Sequence, residues 1–320
     1  MRQPTLVPDF LAIGHATRDL LPDGSWRLGG SVTFAARTAQ QLGMRPAVVT
    51  SATADVLAAL RETLPGVPIA SVPAPEATSF ENIYLTAVPS NDRTQAATPA
   101  PTRRQFLRGR AAPLTLDAVP PDWRAAAIVL LAPLADEIPI SLAAAFPQSL
   151  VAATPQGWLR RWDAAGRVHP GPLADAATLL PALRALILSR EDLLPAPDIS
   201  TDTLSPDVPR DATAADALIA DWARSLPLVA VTCGQAGALL YAGGGSPVAF
   251  SGYPARELDP TGAGDVFAAA FLCELYATGD PVAAVDFANR VAALSVERPG
   301  TEGIPTRAAV AARYPVLPHH

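Results

Sequence analysis

The stretch that decides the fold lies late in the chain: Asp259-Pro260-Thr261-Gly262-Ala263-Gly264-Asp265, followed by Val266-Phe267-Ala268-Ala269-Ala270. It predicts a glycine-rich turn that leads directly into an apolar helix. The first N–H groups of a helix have no intrahelical partner and lie at the positive end of its dipole, so they attract anions. Glycine lets that backbone approach a ligand closely. Asp265 therefore falls where a base could meet a bound anion.

The same residues also have a purely structural interpretation. Residues 262–265 could be an ordinary turn and helix start, with Asp265 stabilising the first helical turn. The tetrapeptide alone does not separate the two interpretations, so the rest of the chain has to decide between them.

The composition predicts one large domain or two small ones, because 320 residues that are 49% hydrophobic can bury a sizeable core. The net charge of −6 argues against a nucleic-acid surface. No apolar run is long enough to cross a bilayer, and the N-terminus does not resemble a signal peptide. We therefore expect a cytoplasmic protein with no nucleic-acid partner and no membrane partner.

Cysteine and histidine give no sign of a disulfide framework or a zinc site. Cys233 and Cys273 lie far apart in apolar surroundings, which predicts buried free thiols. His15 and His169 do not have the spacing of metal ligands.

The cationic side chains are arginines, because the chain contains no lysine. A lysine-dependent Walker-type phosphate site is therefore excluded. The one local basic cluster, residues 103–110, is short. It could recognise an anionic substrate or form a solvated loop, and we favour the loop.

Short apolar runs separated by helical patterns predict an α/β fold. Residues 10–13 form an apolar run that ends in Gly14, which is typical of a buried parallel strand. Ser31 is the expected N-cap of a helix that stops at Gly43, and the next strand at 47–50 completes a βαβ unit. We expect further elements in the rest of the chain: strands at 126–132, 150–153, 185–189 and 228–232, and a late helix at 282–296.

Residues 78–98 differ from this pattern and predict a β-hairpin that stands off the main sheet. The segment 79–86 is extended in character, and the turn and return that follow are Pro89-Ser90-Asn91-Asp92 and Arg93-Thr94-Gln95-Ala96. An ordinary edge hairpin is the alternative.

The pattern Asp-x-Thr-Gly-Ala-Gly-Asp-x-Phe at residues 259–267 closely resembles the C-terminal signature of the PfkB, or ribokinase-like, carbohydrate kinases. The resemblance covers essentially the whole chain, since four other segments agree with the family in position and order: residues 14–19, 29–30, 189–192 and 232–237. It implies an α/β fold, a ribokinase-like three-layer αβα sandwich with a central, mostly parallel sheet and a small β-lid. It also implies a single kinase domain over residues 1–320, with a lid hairpin at about 78–98. Because the loop between Asp19 and Gly29 is short, we expect that hairpin to be the whole lid.

The resemblance further implies an ATP-dependent kinase that transfers the γ-phosphoryl group to a hydroxyl of a sugar, cyclitol or nucleoside. Asp265 would be the base, and the backbone N–H groups of Gly262, Ala263 and Gly264 would form an anion hole. Mg²⁺ would bridge the ATP phosphates. Asp259 would lie beside a K⁺ site or would simply form a turn, and a homodimer is compatible with the family.

The substrate residues that the resemblance implies lie near the N-terminus. Asp19 matches a family carboxylate that binds substrate hydroxyls, since a carboxylate accepts two such bonds; a surface aspartate at a strand end is the alternative. Gly29 and Gly30 match the paired glycines under the sugar. Phe34 stands where sugar kinases of this type usually carry asparagine, so it packs on a substrate ring or belongs to the core. This departure puts simple ribokinase or fructokinase activity in doubt. Together with the short loop between Asp19 and Gly29, it is more similar to the inositol-kinase-like branch than to ribokinase.

On the donor side, Thr232, Gly234 and Gly237 match the family loop Thr-x-Gly-x-x-Gly, which lines the ATP phosphates. Asn289 falls in the region that flanks adenine in the family.

The segment Ser189-Arg190-Glu191-Asp192 stands where the family has Asn-x-x-Glu. Asp192 could hold a hydrated Mg²⁺, which keeps several of its waters. The same four residues also fit a helix N-cap followed by acidic residues in the first turn.

Two other functions are alternatives to the kinase. The departures at Phe34 and at residues 189–192 motivate a catalytically inactive nucleotide- or sugar-binding regulatory relative, against which the intact Asp265 turn argues. A dinucleotide-dependent dehydrogenase does not fit, because the Gly-x-Gly pattern comes late and the third glycine is missing.

Overall fold

A computed structural model describes residues 7–85, 102–196, 198–199 and 204–315 of the chain. The strands are β1 Phe10–Ile13, β2 Thr17–Leu20, β3 Trp26–Gly29, β4 Pro46–Ala52, β5 Ile69–Pro73, β6 Ser79–Leu85, β7 Thr102–Gly109, β8 Ile128–Leu131, β9 Leu150–Ala153, β10 Arg160–Trp162, β11 Val168–Pro170, β12 Ala185–Ser189, β13 Leu228–Thr232, β14 Gly237–Ala242 and β15 Val248–Ser251. The α-helices are α1 Ser31–Gln41, α2 Ala54–Thr63, α3 Ala176–Leu179, α4 Ala212–Trp222, α5 Ala263–Thr278, α6 Pro281–Ser295 and α7 Arg307–Arg313.

The main sheet has nine strands in the order β15-β14-β13-β12-β9-β8-β1-β4-β5. Neighbours from β13 to β5 pair in parallel, whereas β14 and β15 add an antiparallel edge. Strands such as β1 and β8 are apolar and buried along their whole length, as parallel strands covered on both faces must be. The predicted α/β fold with a central, mostly parallel sheet is confirmed.

Helices cover both faces of this sheet and create two apolar layers. Phe10 and Ala12 of β1 pack in one layer with residues of α1, α2, α5 and α6, whereas Leu11 and Ile13 pack in the other with residues of α4. Helix α5 is apolar around most of its circumference and lies deep in the first layer. Its burial fixes the position of its N-terminus, where Asp265 lies.

A second, smaller sheet lies beside the main one, with the strand order β3-β2-β6-β7. We expected the hairpin at 78–98 to form it alone, and this is wrong. The short segment between Asp19 and Gly29 is itself a hairpin, because β2 and β3 pair antiparallel around a turn closed from Leu21 N–H to Ser25 O. Strand β2 then pairs in parallel with β6.

The partner of β6 begins later in the chain than the sequence indicated. Strand β6 pairs antiparallel with β7, while the predicted turn at 89–92 and return at 93–96 lie outside the described residues. The solvated loop favoured for residues 103–110 is therefore wrong, because most of that segment belongs to β7. Two of its arginines have acidic partners: Arg104 pairs with Asp198, and Arg108 pairs with Glu81.

Three smaller features concern the start of α1, the cysteines and the length of the helices. Gly30, with φ of 97°, precedes α1, so the predicted N-cap Ser31 is instead the first helical residue. Cys233 and Cys273 are free, and Cys273 is buried whereas Cys233 keeps some exposure. Among the helices that the structure describes, none is long and apolar enough to cross a membrane.

Candidate active site

The carboxyl ends of the central parallel strands collect most of the predicted site residues at one edge of the sheet. Strand β1 leads to Gly14 and then to Asp19 in β2, β12 ends at Ser189, and β13 ends at Thr232. Ligands of open α/β sheets bind outside this edge. The sequence motifs, which are up to about two hundred residues apart, therefore converge because of the parallel topology.

The glycine-rich turn before α5 has the predicted geometry. Gly262 is the N-cap of the helix with φ of 77°, a left-handed conformation that favours glycine. The ring of Phe34 in α1 packs against it so closely that a β-carbon at position 262 would overlap the ring. Phe34 is only 3% exposed and belongs to the main core. This placement favours the core alternative for Phe34, and its contact with a substrate stays a prediction.

The three expected N–H donors of the turn differ in their availability. Ala263 N–H donates to Pro260 O at 3.1 Å, so this member of the expected anion hole is already used within the turn. Gly264 lies in the first turn of α5, where N–H groups lack intrahelical partners, and a β-carbon at Gly264 would meet no atom within 4 Å. Ala263 N–H would have to leave Pro260 O to bind an anion, and the anion hole formed by Gly262, Ala263 and Gly264 stays a prediction.

Asp265 has an environment suited to proton transfer. It keeps partial access to solvent, yet the protein packed around it desolvates the carboxylate. This burial is the largest cause that raises the pKa of Asp265 to about 6. The negative charge of Asp192 raises the pKa further, whereas a hydrogen bond from Ser31 and the positive charge of Arg160 lower it.

The segment at residues 189–192 forms a helix cap, as the structural alternative proposed. Ser189 caps a short 3₁₀ turn in a capping box: its hydroxyl accepts from Glu191 N–H, and Asp192 Oδ2 accepts from Ser189 N–H at 3.0 Å. Asp192 Oδ1 accepts from Gln156 Nε2 at 2.8 Å. Each carboxylate oxygen of Asp192 therefore has one protein partner and keeps a further lone pair.

Gln156 and Arg160 belong to the site but carried no signal in the sequence. Gln156 lies in the connection from β9 to β10, and Arg160 is the first residue of β10. In this connection Gly157 N–H donates to Pro133 O at 2.8 Å and Trp158 Nε1 donates to Ile138 O at 2.7 Å. No motif marks this connection. Its role becomes visible only because β9 is the central strand between β8 and β12.

The expected substrate residues meet in the second sheet. Asp19 in β2 lies opposite Arg27 in β3 in the strand register. The carboxylate of Asp19 lies over Gly29, since a β-carbon at position 29 would come within 2.6 Å of Asp19 Oδ2. Gly30, next to Gly29, has φ of 97°, and a β-carbon there would overlap the carbonyl of His15. The structure thus brings Asp19, Gly29 and Gly30 together beside the start of α1.

A buried polar joint connects the second sheet to the main one. His15 is fully buried; its Nε2 donates to Ala112 O at 2.8 Å, and its Nδ1 accepts from the Thr78 hydroxyl at 2.7 Å, since Thr78 itself accepts from Ala111 N–H. Glu137 is 1% exposed, and its carboxylate accepts a hydrogen bond from the backbone N–H of His15 at 3.0 Å. The joint fixes the start of the chain segment that leads to Asp19.

The donor-side residues line the neighbouring part of the edge. Thr232 ends β13, and its hydroxyl donates weakly to Leu188 O at 3.4 Å. Gly234 begins a 3₁₀ turn that ends at Gly237, where φ of 103° and the nearby Phe250 carbonyl exclude a side chain. Asn289 lies on α6, 6% exposed, and its Nδ2 finds no hydrogen-bond partner in the described part of the chain.

Asp259 ties two loops together at the start of the turn. Its Oδ1 accepts from Thr261 N–H and its Oδ2 accepts from Gly300 N–H, both at 3.0 Å. Burial raises the pKa of Asp259, but these hydrogen bonds outweigh it and hold the pKa below its ordinary value. Asp259 is therefore ionised and turn-forming, and a K⁺ site beside it stays a prediction.

The described residues offer few ligands for the expected Mg²⁺. Among the described residues, no three His, Cys, Asp or Glu side chains cluster so that they could hold a metal ion directly. An ion such as Mg²⁺, which keeps several waters, fits this site only through water and the phosphates of a bound substrate, and a role of Asp192 in holding it stays a prediction.

Part of the sequence is similar to known carbohydrate kinases. The family model described as pfkB family carbohydrate kinase matches residues 204–307. Over 78 residues, 24% of this chain, the sequence is 44% identical to ribokinase from Bacillus subtilis (strain 168). These matches span about a quarter of the length of the curated relatives, 26% for that ribokinase.

Solved structures resemble the chain over nearly its whole length. A pyrophosphate-dependent kinase in the ribokinase family, complexed with a pyrophosphate analog and myo-inositol, has a TM-score of 0.70 at 21% identity, covering 95% of this chain and 99% of that one. Ribokinase from Arabidopsis thaliana, complexed with ribose and ATP, has a TM-score of 0.69 at 20% identity, covering 98% of this chain and 100% of that one. At such identities the likeness establishes the fold. The part of the chain that matches the family model, residues 204–307, includes the turn from Asp259 to Asp265.

Proposed function

We propose that the protein is a kinase that transfers the γ-phosphoryl group of ATP to a hydroxyl of a sugar, cyclitol or nucleoside. The observation that carries the proposal is the Asp265 carboxylate, which has a pKa of about 6 and lies beside a glycine turn at the carboxyl edge of the sheet. A base works best when its pKa is near the working pH, and phosphoryl transfer needs positioned N–H donors more than covalent chemistry.

In the proposed reaction, the acceptor hydroxyl lies between Asp19 and Asp265. Asp19 accepts hydrogen bonds from other hydroxyls of the acceptor and orients it over Gly29 and Gly30. The attacked hydroxyl gives its proton to the Asp265 carboxylate while its oxygen forms a bond to the γ-phosphorus and the bond from that phosphorus to the leaving oxygen breaks. The N–H groups of Gly262 and Gly264 stabilise charge on the phosphoryl oxygens.

The donor would occupy the part of the edge that holds Thr232, Gly234 and Gly237, with Asn289 towards the adenine. The unpartnered Nδ2 of Asn289 supports a polar ligand on that side, because a buried amide without a partner costs free energy. Mg²⁺ supplies charge neutralisation on the donor phosphates when it is bound. The sheet β3-β2-β6-β7 would act as a lid that limits access of water, within a single kinase domain. A cytoplasmic location and a homodimer stay predictions.

The test is release of ADP from MgATP by the full chain, with and without K⁺, across a panel of sugars, inositols and nucleosides. Pyrophosphate is included as a second donor, because one structural neighbour is pyrophosphate-dependent. The matched control is Asp265→Asn, which keeps the shape of the side chain and removes the base.

Acceptor-dependent turnover that disappears in Asp265→Asn, while ATP binding measured by calorimetry persists, is the expected result. Turnover that survives the substitution would exclude Asp265 as the base. ATP binding without turnover for any acceptor or donor would instead favour the catalytically inactive regulatory relative.

A further inference from the structure

Arg160 occupies the middle of the carboxyl edge, between the two halves of the candidate site. It is the first residue of β10, which follows the connection from β9, and β9 lies between β8 and β12. The acceptor residues lie on the β1 side of this position and the donor residues on the β12 and β13 side. A group that passes from donor to acceptor has to cross the space in front of β9.

The side chain of Arg160 is held in place by contacts with both sheets. Its guanidinium carbon lies 5.4 Å from the centre of the Phe80 ring, and Nη1 donates to Leu134 O at 3.4 Å. Phe80 in β6 is 4% exposed and is the register partner of Asp19 in β2. The guanidinium therefore lies under the strand that neighbours Asp19, and its charge also acts on Asp265.

The tightly packed connection before Arg160 holds the backbone of this residue in place. Trp158 and Leu159 are almost fully buried, and a β-carbon at Gly157 would overlap the backbone of Pro133. A guanidinium on such a support is preorganised, so little side-chain entropy is lost when it binds a ligand.

A cation at the position of Arg160 would offset the negative charges that lie at the carboxyl edge of the main sheet. Asp265 and Asp192 both place negative charge beside the path of an anionic donor, and their mutual repulsion is felt at Asp265. The chain contains no lysine that could offset it. Among the described residues, Arg160 is a positive charge close enough to lower the pKa of Asp265.

We propose, on the basis of the proposed function, that Arg160 contacts the phosphoryl group in transit and offsets its charge as the group moves from the donor to the acceptor. A guanidinium presents a planar fork of N–H donors that matches two phosphoryl oxygens. Arginine in this role raises the rate of phosphoryl transfer rather than the affinity for the acceptor.

The test compares Arg160→Gln with Arg110→Gln as a matched control. Arg110 makes the same kinds of contact, since its guanidinium lies 5.5 Å from the centre of the Trp162 ring and Nη2 donates to Asp136 O, but it does not contribute to the electrostatics of Asp265. We expect kcat to fall by roughly 100-fold or more in Arg160→Gln, with little change in the acceptor KM, and to stay near the wild-type value in Arg110→Gln.

Two further readouts separate a charge role from a structural one. Added guanidinium ion should restore part of the kcat of Arg160→Ala and none of that of Asp265→Asn. Carboxyl titration by NMR, with labelled aspartate and the Asp265 signal assigned from Asp265→Asn, should give a higher pKa for Asp265 in Arg160→Gln and an unchanged one in Arg110→Gln.

The outcomes distinguish this inference from the proposed function. Wild-type turnover that is retained in Arg160→Gln, or lost equally in Arg110→Gln, would overturn the role of Arg160 while the kinase activity stands. A wild-type protein without turnover for any acceptor would refute the proposed function, and the inference with it.

Discussion

The ring of Phe34 lies directly beneath Gly262, so that a β-carbon at position 262 would overlap the ring. An aromatic residue on α1 thereby supports the turn that begins α5. Phe34 is buried in the main core, so its ring is held in this position by the residues packed around it. Phe34 thus supports the backbone that is proposed to bind phosphate, and its contact with a substrate stays a prediction.

The first prediction concerns Gly262→Ala. The added methyl group would combine the strain of a left-handed backbone, φ of 77°, with the overlap on Phe34, so we expect stability to fall by about 2–4 kcal/mol in urea unfolding. The control is Gly279→Ala, because Gly279 has φ of 70° but no atom within 4 Å of its β-carbon position. Equal losses in the two variants would mean that the Phe34 ring moves aside at no cost.

The second prediction concerns Gly264→Ala, where the free protein offers open space. A β-carbon at Gly264 meets no atom within 4 Å, so unfolding stability should be unchanged or slightly higher, since alanine favours a helix more than glycine. If a phosphoryl group approaches this backbone, the methyl group would displace it, and kcat should fall by about 100-fold. Normal kcat in a stable Gly264→Ala variant would exclude close approach of the phosphoryl group to Gly264.

The third prediction is the pH dependence of kcat/KM. Asp265 has to be ionised to accept a proton, and its folded pKa is about 6 instead of 3.8, so activity should be lost as the pH falls through about 6. Asp192 raises this pKa by repulsion, so Asp192→Asn should move the acidic limb of the profile to lower pH. Glu191→Gln changes an exposed carboxylate in the same turn and should leave the limb in place. A limb that shifts equally in both variants would argue against direct coupling between Asp192 and Asp265.

The parts of the fold that could be predicted from the sequence are those with local signals. Strands such as Phe10–Ile13 and Leu228–Thr232 are continuous apolar runs, and their predicted bounds agree with the structure because burial on both faces leaves no place for polar residues. Strand β7 was missed because Arg103, Arg104 and Arg108 make it look like a solvated loop. The charges of Arg104 and Arg108 are tolerated because Arg104 pairs with Asp198, and Arg108 pairs with Glu81 and stacks on the Phe106 ring.

The candidate site shows the same division. The turn at 259–265 could be recognised because glycine and aspartate at fixed spacing have few other uses. Arg160 and Gln156 could not, since neither belongs to a local pattern and both reach the site only through the strand order around β9. Contacts that depend on the order of the strands in the sheet can be identified only when the fold is known.

The last prediction concerns Glu137, whose buried carboxylate holds the joint between the two sheets. Its Oε1 accepts from His15 N–H, and its Oε2 accepts from the N–H groups of Leu134 and Ala135 at 2.9 and 2.7 Å. In Glu137→Gln an amide NH₂ replaces one of these oxygens and faces N–H donors, which leaves buried groups unpaired. We expect a loss of about 1–3 kcal/mol in urea unfolding.

Because His15 lies four residues before Asp19, this substitution should also raise the acceptor KM more than the ATP KM. Asp136→Asn is the matched control: its carboxylate is adjacent and exposed, and asparagine tolerates its φ of 56°. That variant should keep both stability and KM. A Glu137→Gln protein that loses stability but keeps the acceptor KM would mean that the joint stabilises the fold without positioning Asp19, and the acceptor side of the site would then depend on the β2–β3 hairpin alone.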